Sequence, residues 1–295
     1  DAYYYEKRPL PYDISDKQNE FRSIIRDANN QFGGFSPITR LIDERCREYI
    51  RALDMLSVRG NQEFSQIAVE LYGSPQDVFY PSGPKLVDMG TILFDLLTQL
   101  DVQLKTEADE KRYTAKECAE QLSKRLDAFF GDEKINVIVS DDLVADASAG
   151  ADTIRLRSSA KFSDRDIRCL EVHEGWVHIA TTINGAKQPY CHFLSKGSPS
   201  CSVLQEGLAV LTEVITLSSY PSRMRKITNR VIAMDMVMRG ATFLDVFRHF
   251  QDCGFGDMES YVHTVRIFRG SVPEGGPFTK DLSYAKGFLL AYNYI

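Results

Sequence analysis

The chain has 295 residues, of which 43% are hydrophobic and 26% are charged. This composition is typical of a globular protein with a sizeable core, and it excludes an intrinsically disordered chain. A formal net charge of −6 gives no general attraction to phosphate backbones or anionic lipids, so we expect neither nucleic acid nor a membrane as partner. The 6 cysteines lack CxxC spacing, which favours reduced thiols and a cytoplasmic location.

The first 130 residues carry the end signals and the apolar spacing of helices. Ser15 with Gln18, and Thr114 with Glu117, have the spacing of capping boxes, in which two side chains bond the first N–H groups of a helix. Proline directly after serine, as at position 37, is typical of the first helical residue. We therefore predict helices after Ser15, from Ser36 toward Gly60, over about 61–72 and 84–101, and from Thr114 to near Gly131.

From about residue 131 the pattern changes to short strands and then returns to helices. Apolar and polar residues alternate over 135–139 and over 153–157, on either side of a loop of small residues, 145–152. Ser163 and Asp166 then cap a helix that runs to a loop beginning at Asn184. The order of elements predicts an α+β fold, mostly helical, with a small sheet next to this helix. We predict one domain over 1–295, with a helical part (1–130) and a catalytic part (131–295). Later helices are predicted at about 202–218, 222–238, 242–252, 257–268 and 279–294.

His173 and His178 lie five positions apart in the helix after Ser163. On a regular α-helix, residues five apart diverge by about 140°, whereas residues four apart diverge by about 40°. A metal shared by the two imidazoles therefore requires an extra residue in the helix, as in a π-bulge, which is found mostly at functional sites. Gly175 between them makes that distortion easier. The spacing thus differs from the HExxH helix of many metalloproteases.

An acidic residue on a second helix completes a candidate zinc site. Glu206 lies in an otherwise apolar run, where a carboxylate is costly to bury unless it is paired or binds a metal. Two His and one Glu are the protein ligands of many catalytic zinc sites. With a π-bulge, His173, His178 and Glu206 would hold one Zn²⁺, and Glu174 would act as general base. Glu213, seven residues after Glu206, could accept a hydrogen bond from a ligand imidazole.

Several segments resemble the QEGLA-motif family of metallopeptidases, which includes the microtubule-associated tyrosine carboxypeptidases. The segments that carry the resemblance are Arg59–Gly60, Leu71–Gly73, His173–His178, Asn184–Pro189, Gln205–Ala209, Arg266–Gly270 and Gly276–Asp281. The resemblance implies a zincin-like fold, one Zn²⁺ held by the residues that match the family's ligands, and Glu174 as the catalytic glutamate. It also implies removal of a C-terminal residue, with tyrosine or another aromatic residue as candidate, from a peptide or protein tail. Tubulin-acting members carry a basic extension that this acidic chain does not show, so tubulin is a possible but not a favoured substrate.

A carboxypeptidase needs a cation for the terminal carboxylate of its substrate. Arg266 and Arg269, three apart on one predicted helix, and Lys280 are the candidates, with solvated surface charge as the alternative. Tyr284 could donate a hydrogen bond to the developing oxyanion, or it could pack in the core. The strand over 153–157 could offer an exposed edge to the substrate backbone, or it could be an internal strand.

Two other functions stay open from the sequence. The same zinc chemistry could serve an endopeptidase or an amidohydrolase, and a groove open at both ends would favour the endopeptidase. A noncatalytic regulator that binds a partner on the same fold is the alternative of another class. The complete ligand set and the presence of Glu174 argue against a regulator, since a decayed enzyme would be expected to lose its general base.

Overall fold

The structure is a computed structural model in which residues 4–5, 7–104, 110–143 and 145–295 are described. These residues form twelve α-helices, five short strands and a π-helix of 9 residues. The prediction of an α+β fold with helices in the majority is therefore confirmed. No helix in this part of the chain is both long enough and apolar enough to cross a membrane.

The chain divides into two compact units, and the first contains the described residues of Asp1–Ile92, with Ser198–Val203 and Ile227–Ala285. Its apolar core includes the rings of Phe64 and Phe278, whose centroids lie 5.2 Å apart. The helices that lie wholly in this unit are α1 (Ile14–Phe32), α2 (Pro37–Ser57), α3 (Glu63–Tyr72), α10 (Phe243–Asp252) and α11 (Asp257–Phe268).

The second unit contains the described residues of Leu93–Gly197, with Leu204–Lys226 and Lys286–Ile295. Its core joins apolar side chains of a helix, a strand and the segment that carries the histidines, among them Leu126 and Ile154. The elements that lie wholly in this unit are β1 (Tyr113–Thr114), α5 (Ala115–Phe130), β2 (Asn136–Ser140), β3 (Ala147–Gly150), β4 (Thr153–Arg157), β5 (Lys161–Phe162), α6 (Asp164–Leu170), the π-helix (Glu171–Ile179), α7 (Ala180–Ala186) and a 3₁₀ turn (His192–Ser195).

The residues of the remaining helices are divided between the two units. The prediction of a single domain over 1–295 stays a prediction. These helices are α4 (Leu86–Leu104), α8 (Pro199–Ile215), α9 (Pro221–Met238) and α12 (Leu282–Tyr294), and a 3₁₀ turn (Thr279–Asp281) precedes α12.

The larger sheet has three strands in the order β2-β4-β3. β2 runs parallel to β4, and β3 runs antiparallel to it. β4 is therefore the central strand, so the prediction that 153–157 offers a free edge is wrong and the internal alternative is correct. The strand β3 falls where a loop was predicted, because its alanine, serine and glycine residues carry no strand signal.

Helix starts in the second unit follow the capping signals of the sequence. Thr114 and Ser163 each accept a hydrogen bond from the N–H three residues on, and the acidic residue there bonds back. The capping box predicted at Ser15 is wrong, because Asp13 accepts the hydrogen bond from the N–H of Asp16 and α1 begins at Ile14. An aspartate two residues earlier is an equally good cap, so the helix starts there and Ser15 already lies inside its first turn.

The predicted loop at Asn184 begins too early. An asparagine followed by glycine usually indicates a turn, but here both residues belong to α7, which continues to Ala186. Gly185 is buried, and a Cβ at this position would overlap the backbone of Leu194 and Ser195. The glycine therefore permits a close approach of the 3₁₀ turn to the helix instead of ending it.

Candidate metal centre

The two histidines lie in a stretch of π-helix. Over Glu171–Ile179 the backbone has the π pattern, in which hydrogen bonds join residues five apart rather than four. Residues five apart then lie above one another, and the ring centroids of His173 and His178 are 4.9 Å apart. The π-bulge that a shared metal would require is therefore present, and this prediction is confirmed.

Gly175 lets α5 pack closely against the π-helix. A Cβ at this position would overlap the side chain of Leu126, which is itself fully buried. The next residue, Trp176, stacks on Phe129 of α5, with ring centroids 4.9 Å apart. Gly175 thus serves packing as well as backbone freedom, and α5 supports one side of the segment that carries the histidines.

Glu206 approaches the histidines from α8. Its Oε2 lies 3.2 Å from Nε2 of His173 and 3.6 Å from Nε2 of His178. The next residue, Gly207, allows close contact with α12, because a Cβ there would overlap the backbone of Gly287. Among the residues that the structure describes, these three side chains form the one group of His, Cys, Asp or Glu ligands that could hold a metal ion.

Both imidazoles are anchored through Nδ1. Nδ1 of His173 lies 2.6 Å from Oε1 of Glu213, and Nδ1 of His178 lies 3.2 Å from Oε1 of Gln205. A carboxylate oxygen and an amide oxygen only accept hydrogen bonds, so each Nδ1 carries a proton and each Nε2 faces Glu206. When Nε2 carries no proton, each ring is a neutral imidazole with its lone pair on the Glu206 side, which is the state that a metal ligand needs.

Two residues of this network, Gln205 and Arg223, receive no role from the sequence. Nε and Nη2 of Arg223 donate to the two oxygens of Glu213, each at 2.7 Å, which is a bidentate pair. Gln205 is adjacent to Glu206 in the QEGLA segment, and that adjacency is a signal that could have found it. Arg223 lies on the following helix, and no spacing rule connects it to Glu213.

The charges of the group favour a cation. Burial disfavours the ionised form of both carboxyls. The two imidazoles nevertheless hold the pKa of Glu206 well below its ordinary value. Arg223 and His173 do the same for the pKa of Glu213. Burial also disfavours protonated His173, but hydrogen bonds to Glu206 and Glu213 raise its pKa to about 10. The pKa of His178 is raised against burial by its hydrogen bond to Glu206. A metal ion meets this demand for positive charge while both imidazoles stay neutral.

The spacing of the donor atoms fits a tetrahedral ion. Zn²⁺ binds imidazole nitrogen and carboxylate oxygen at about 2.0–2.2 Å, which places neighbouring ligand atoms of a tetrahedron about 3.4 Å apart. The separations of 3.2 and 3.6 Å between Glu206 and the two Nε2 atoms agree with this spacing. The donor set and its distances therefore fit one divalent cation of this size.

Glu174 follows His173 directly in the π-helix. Its side chain is partly exposed, and within the described parts of the chain its carboxylate makes no hydrogen bond. Its charge is close enough to act on both imidazoles. An unpaired carboxylate beside the ligand group is available for proton transfer.

The other predicted site residues belong to the first unit. Arg266 donates to both oxygens of Asp281, at 2.7 and 3.0 Å. The guanidinium carbon of Arg269 lies 5.2 Å from the centroid of an aromatic ring of the same unit. Lys280 lies in the 3₁₀ turn before α12, and Tyr284 in the first turn of α12; both are partly buried. Their roles in substrate binding and oxyanion stabilisation stay predictions.

The fold and the site define a mostly helical α+β protein in which two histidines and one glutamate can hold a metal ion. The chain belongs to the microtubule-associated tyrosine carboxypeptidase family, whose family model matches residues 4–295. The family resemblance inferred from the sequence motifs is thereby confirmed. No curated protein matches the chain.

Proposed function

We propose that this protein is a zinc carboxypeptidase that removes the last residue of a peptide or protein tail, with tyrosine as the first residue to test. Membership of a family named for tyrosine carboxypeptidase activity supports the reaction. The observation that carries the proposal is the convergence of His173, His178 and Glu206, with Nε2 of each imidazole next to the carboxylate. A cytoplasmic location agrees with the six free cysteines.

Each ligand has a defined role in this proposal. His173 and His178 would hold one Zn²⁺ through Nε2, and Glu206 would hold it through its carboxylate. When bound, Zn²⁺ supplies Lewis acidity, which makes water more acidic and polarises the scissile carbonyl. Glu213 and Gln205 keep the protons on Nδ1 and fix the orientation of both rings.

Glu174 is the general base of the proposed reaction. Its carboxylate takes a proton from the attacking water while the water oxygen adds to the carbonyl carbon. The C–N bond to the last residue then breaks, and the same carboxyl group gives the proton to the departing amine. The carboxylate is thus regenerated, and the partly exposed position of Glu174 leaves it accessible to water and substrate.

A peptide set that differs only in the last residue tests the proposal. Zinc-loaded protein and its Glu174→Gln variant are incubated with the peptides, product masses are followed, and the zinc content of both proteins is measured. We expect loss of single C-terminal residues, and a rate lowered by about 10²–10⁴ in the variant because the general base is lost. Equal rates in two proteins that hold equal zinc would contradict the role of Glu174.

The same experiment separates the alternative functions. Internal cuts would identify an endopeptidase, and hydrolysis of small amides alone would identify an amidohydrolase. Zinc-loaded protein that cleaves nothing would favour a noncatalytic binding protein. Intact microtubules form a separate arm, because the family is described as microtubule-associated while this chain carries a net charge of −6.

A further inference from the structure

The proposed carboxypeptidase needs a cation for the terminal carboxylate of its substrate, and the following inference rests on that function. A carboxylate that loses water on binding is held best by an arginine, whose planar fork donates two parallel hydrogen bonds. Arg266, the first candidate from the sequence, already has such a pair with Asp281. The unit that carries the metal ligands contains another arginine with a different set of contacts.

Arg223 uses only one side of its guanidinium group. Its Nε and Nη2 bond the two oxygens of Glu213, and Nη1 has no hydrogen-bond partner among the described residues. The side chain is 29% exposed, and Nη1 is not among the buried unsatisfied atoms, so this nitrogen reaches solvent. A guanidinium carries five N–H donors, so the Nη1 end can bind a second carboxylate while Glu213 holds the first.

The contact between Arg223 and His173 does not occupy that end. Nη2 lies 3.3 Å from Nδ1 of His173, but both nitrogens donate to the same oxygen of Glu213. Because Nδ1 carries a proton, it cannot accept a hydrogen bond from Arg223. The second hydrogen of Nη2 therefore remains available next to those of Nη1.

The position of Arg223 suits the last residue of a peptide. One imidazole ring, that of His173, separates Arg223 from the ligand atom Nε2. In a substrate, three bonds separate the scissile carbonyl carbon from the terminal carboxyl carbon, which is about 4 Å at full extension. That span is comparable to the width of the imidazole ring, so a substrate whose last residue runs from the metal ligands past His173 would bring its terminal carboxylate to this guanidinium.

We propose that Arg223 binds the terminal carboxylate of the substrate through Nη1 and Nη2, and so makes this protein an exopeptidase. Glu213 then has two functions, because the same carboxylate orients His173 and holds Arg223 in place. A charge-assisted pair of this kind favours a peptide acid over the matching peptide amide by about 10- to 100-fold in affinity.

Peptide binding to zinc-loaded Glu174→Gln protein tests the pairing without turnover. The probe is a short peptide that ends in tyrosine, either with a free carboxylate or as the C-terminal amide, and the dissociation constant of each is measured. We expect the acid-to-amide preference to fall to about 1- to 2-fold when Arg223→Gln is added. Arg225→Gln is the matched control, because it removes the same charge two residues further along α9 at a side chain bonded to Asp101.

The ratio of the two affinities distinguishes carboxylate binding from a purely structural role. If Arg223 only positioned Glu213, its loss would weaken zinc and both peptides alike, and an unchanged ratio would overturn the inference. If Arg223→Gln does not retain zinc, the same two affinities are measured with Arg223→Lys. An acid-to-amide ratio reduced severalfold supports the bidentate pair, and a ratio equal to that of the protein with Arg223 overturns it. Failure of the proposed function is a separate outcome, since the protein with Glu174 intact would then cleave no peptide.

Discussion

Two buried charged clusters in this protein are stabilised in opposite ways. Asp281 is 5% exposed, and two arginines neutralise it: Arg266 bonds both of its oxygens and Arg230 lies 3.4 Å away. Glu206, in contrast, faces the Nε2 atoms of two imidazoles and no arginine. The first cluster is neutralised by arginines of the protein, whereas the second brings together three metal-binding groups whose positive charge comes from protons or from a metal ion.

This difference separates structural charge from a binding site. A buried carboxylate paired with arginine needs nothing from solvent, and breaking such a pair is strongly destabilising. A buried set of donors without a protein cation is costly unless a metal ion or protons satisfy it. Both arrangements occur side by side at the metal centre, because Arg223 neutralises Glu213 while Glu206 faces the two imidazoles.

Removal of metal should give the largest difference in response between the two clusters. Ligand linkage predicts about 4 kcal/mol of stabilisation when free Zn²⁺ exceeds its dissociation constant a thousandfold. We expect a chelator to lower the melting temperature of zinc-loaded protein by several degrees, and Glu206→Gln to abolish this response. Asp281→Asn should keep the response, because its cluster binds no metal. Calorimetry that finds no effect of the chelator on the zinc-loaded protein would contradict the site.

Acid should act on the arginine-paired cluster. Burial disfavours ionised Asp281, but Arg266 and Arg230 lower its pKa to about 2. The value in an unfolded chain is about 3.9, so the pair contributes about 2–3 kcal/mol that is complete above about pH 5 and is lost as the pH falls through 2. We expect Asp281→Asn to reduce the change in the free energy of urea unfolding between pH 5 and pH 2.5. Equal changes in both proteins would show that this carboxyl is not responsible.

The smallest expected effect concerns the hydrogen bond behind His178. Gln205→Ala removes the acceptor of its Nδ1 proton, and loss of such a partner weakens zinc binding by about tenfold. Gln205→Glu keeps an acceptor at the same position and should retain most of the affinity. Competition with a chromophoric chelator measures both variants, and a dissociation constant unchanged in Gln205→Ala would show that the contact does not orient the ring.

Sequence reasoning succeeded where the determinants are close together in the chain. The separation of His173 and His178 required a π-bulge, and nine residues adopt the π pattern. The caps at Thr114 and Ser163 were also predicted correctly, because a capping box depends on residues only three positions apart. The cost of burying a carboxylate in an apolar run indicated Glu206, and the family motifs supported its long-range pairing with the histidine helix.

Tertiary contacts explain the failures. The strand β3 depends on its partner β4 rather than on its own small residues. Asn184 and Gly185 stay helical because Gly185 packs against the backbone of another segment. Arg223 of α9 contacts the metal centre through its hydrogen bond to Glu213 of α8. None of these contacts leaves a periodic or short-range signal in the sequence.

The π-helix also bears on how the chain would tolerate a change of length. Its wider turn holds one more residue than a turn of α-helix, so deleting one residue between the histidines would narrow that turn and leave the helix beyond it in nearly the same orientation. Ile179, which is fully buried, and Ile183, which packs on the same core, would then keep their positions. A four-residue interval would therefore preserve both the metal ligands and the core, so the packing that follows the histidines does not by itself demand the extra residue.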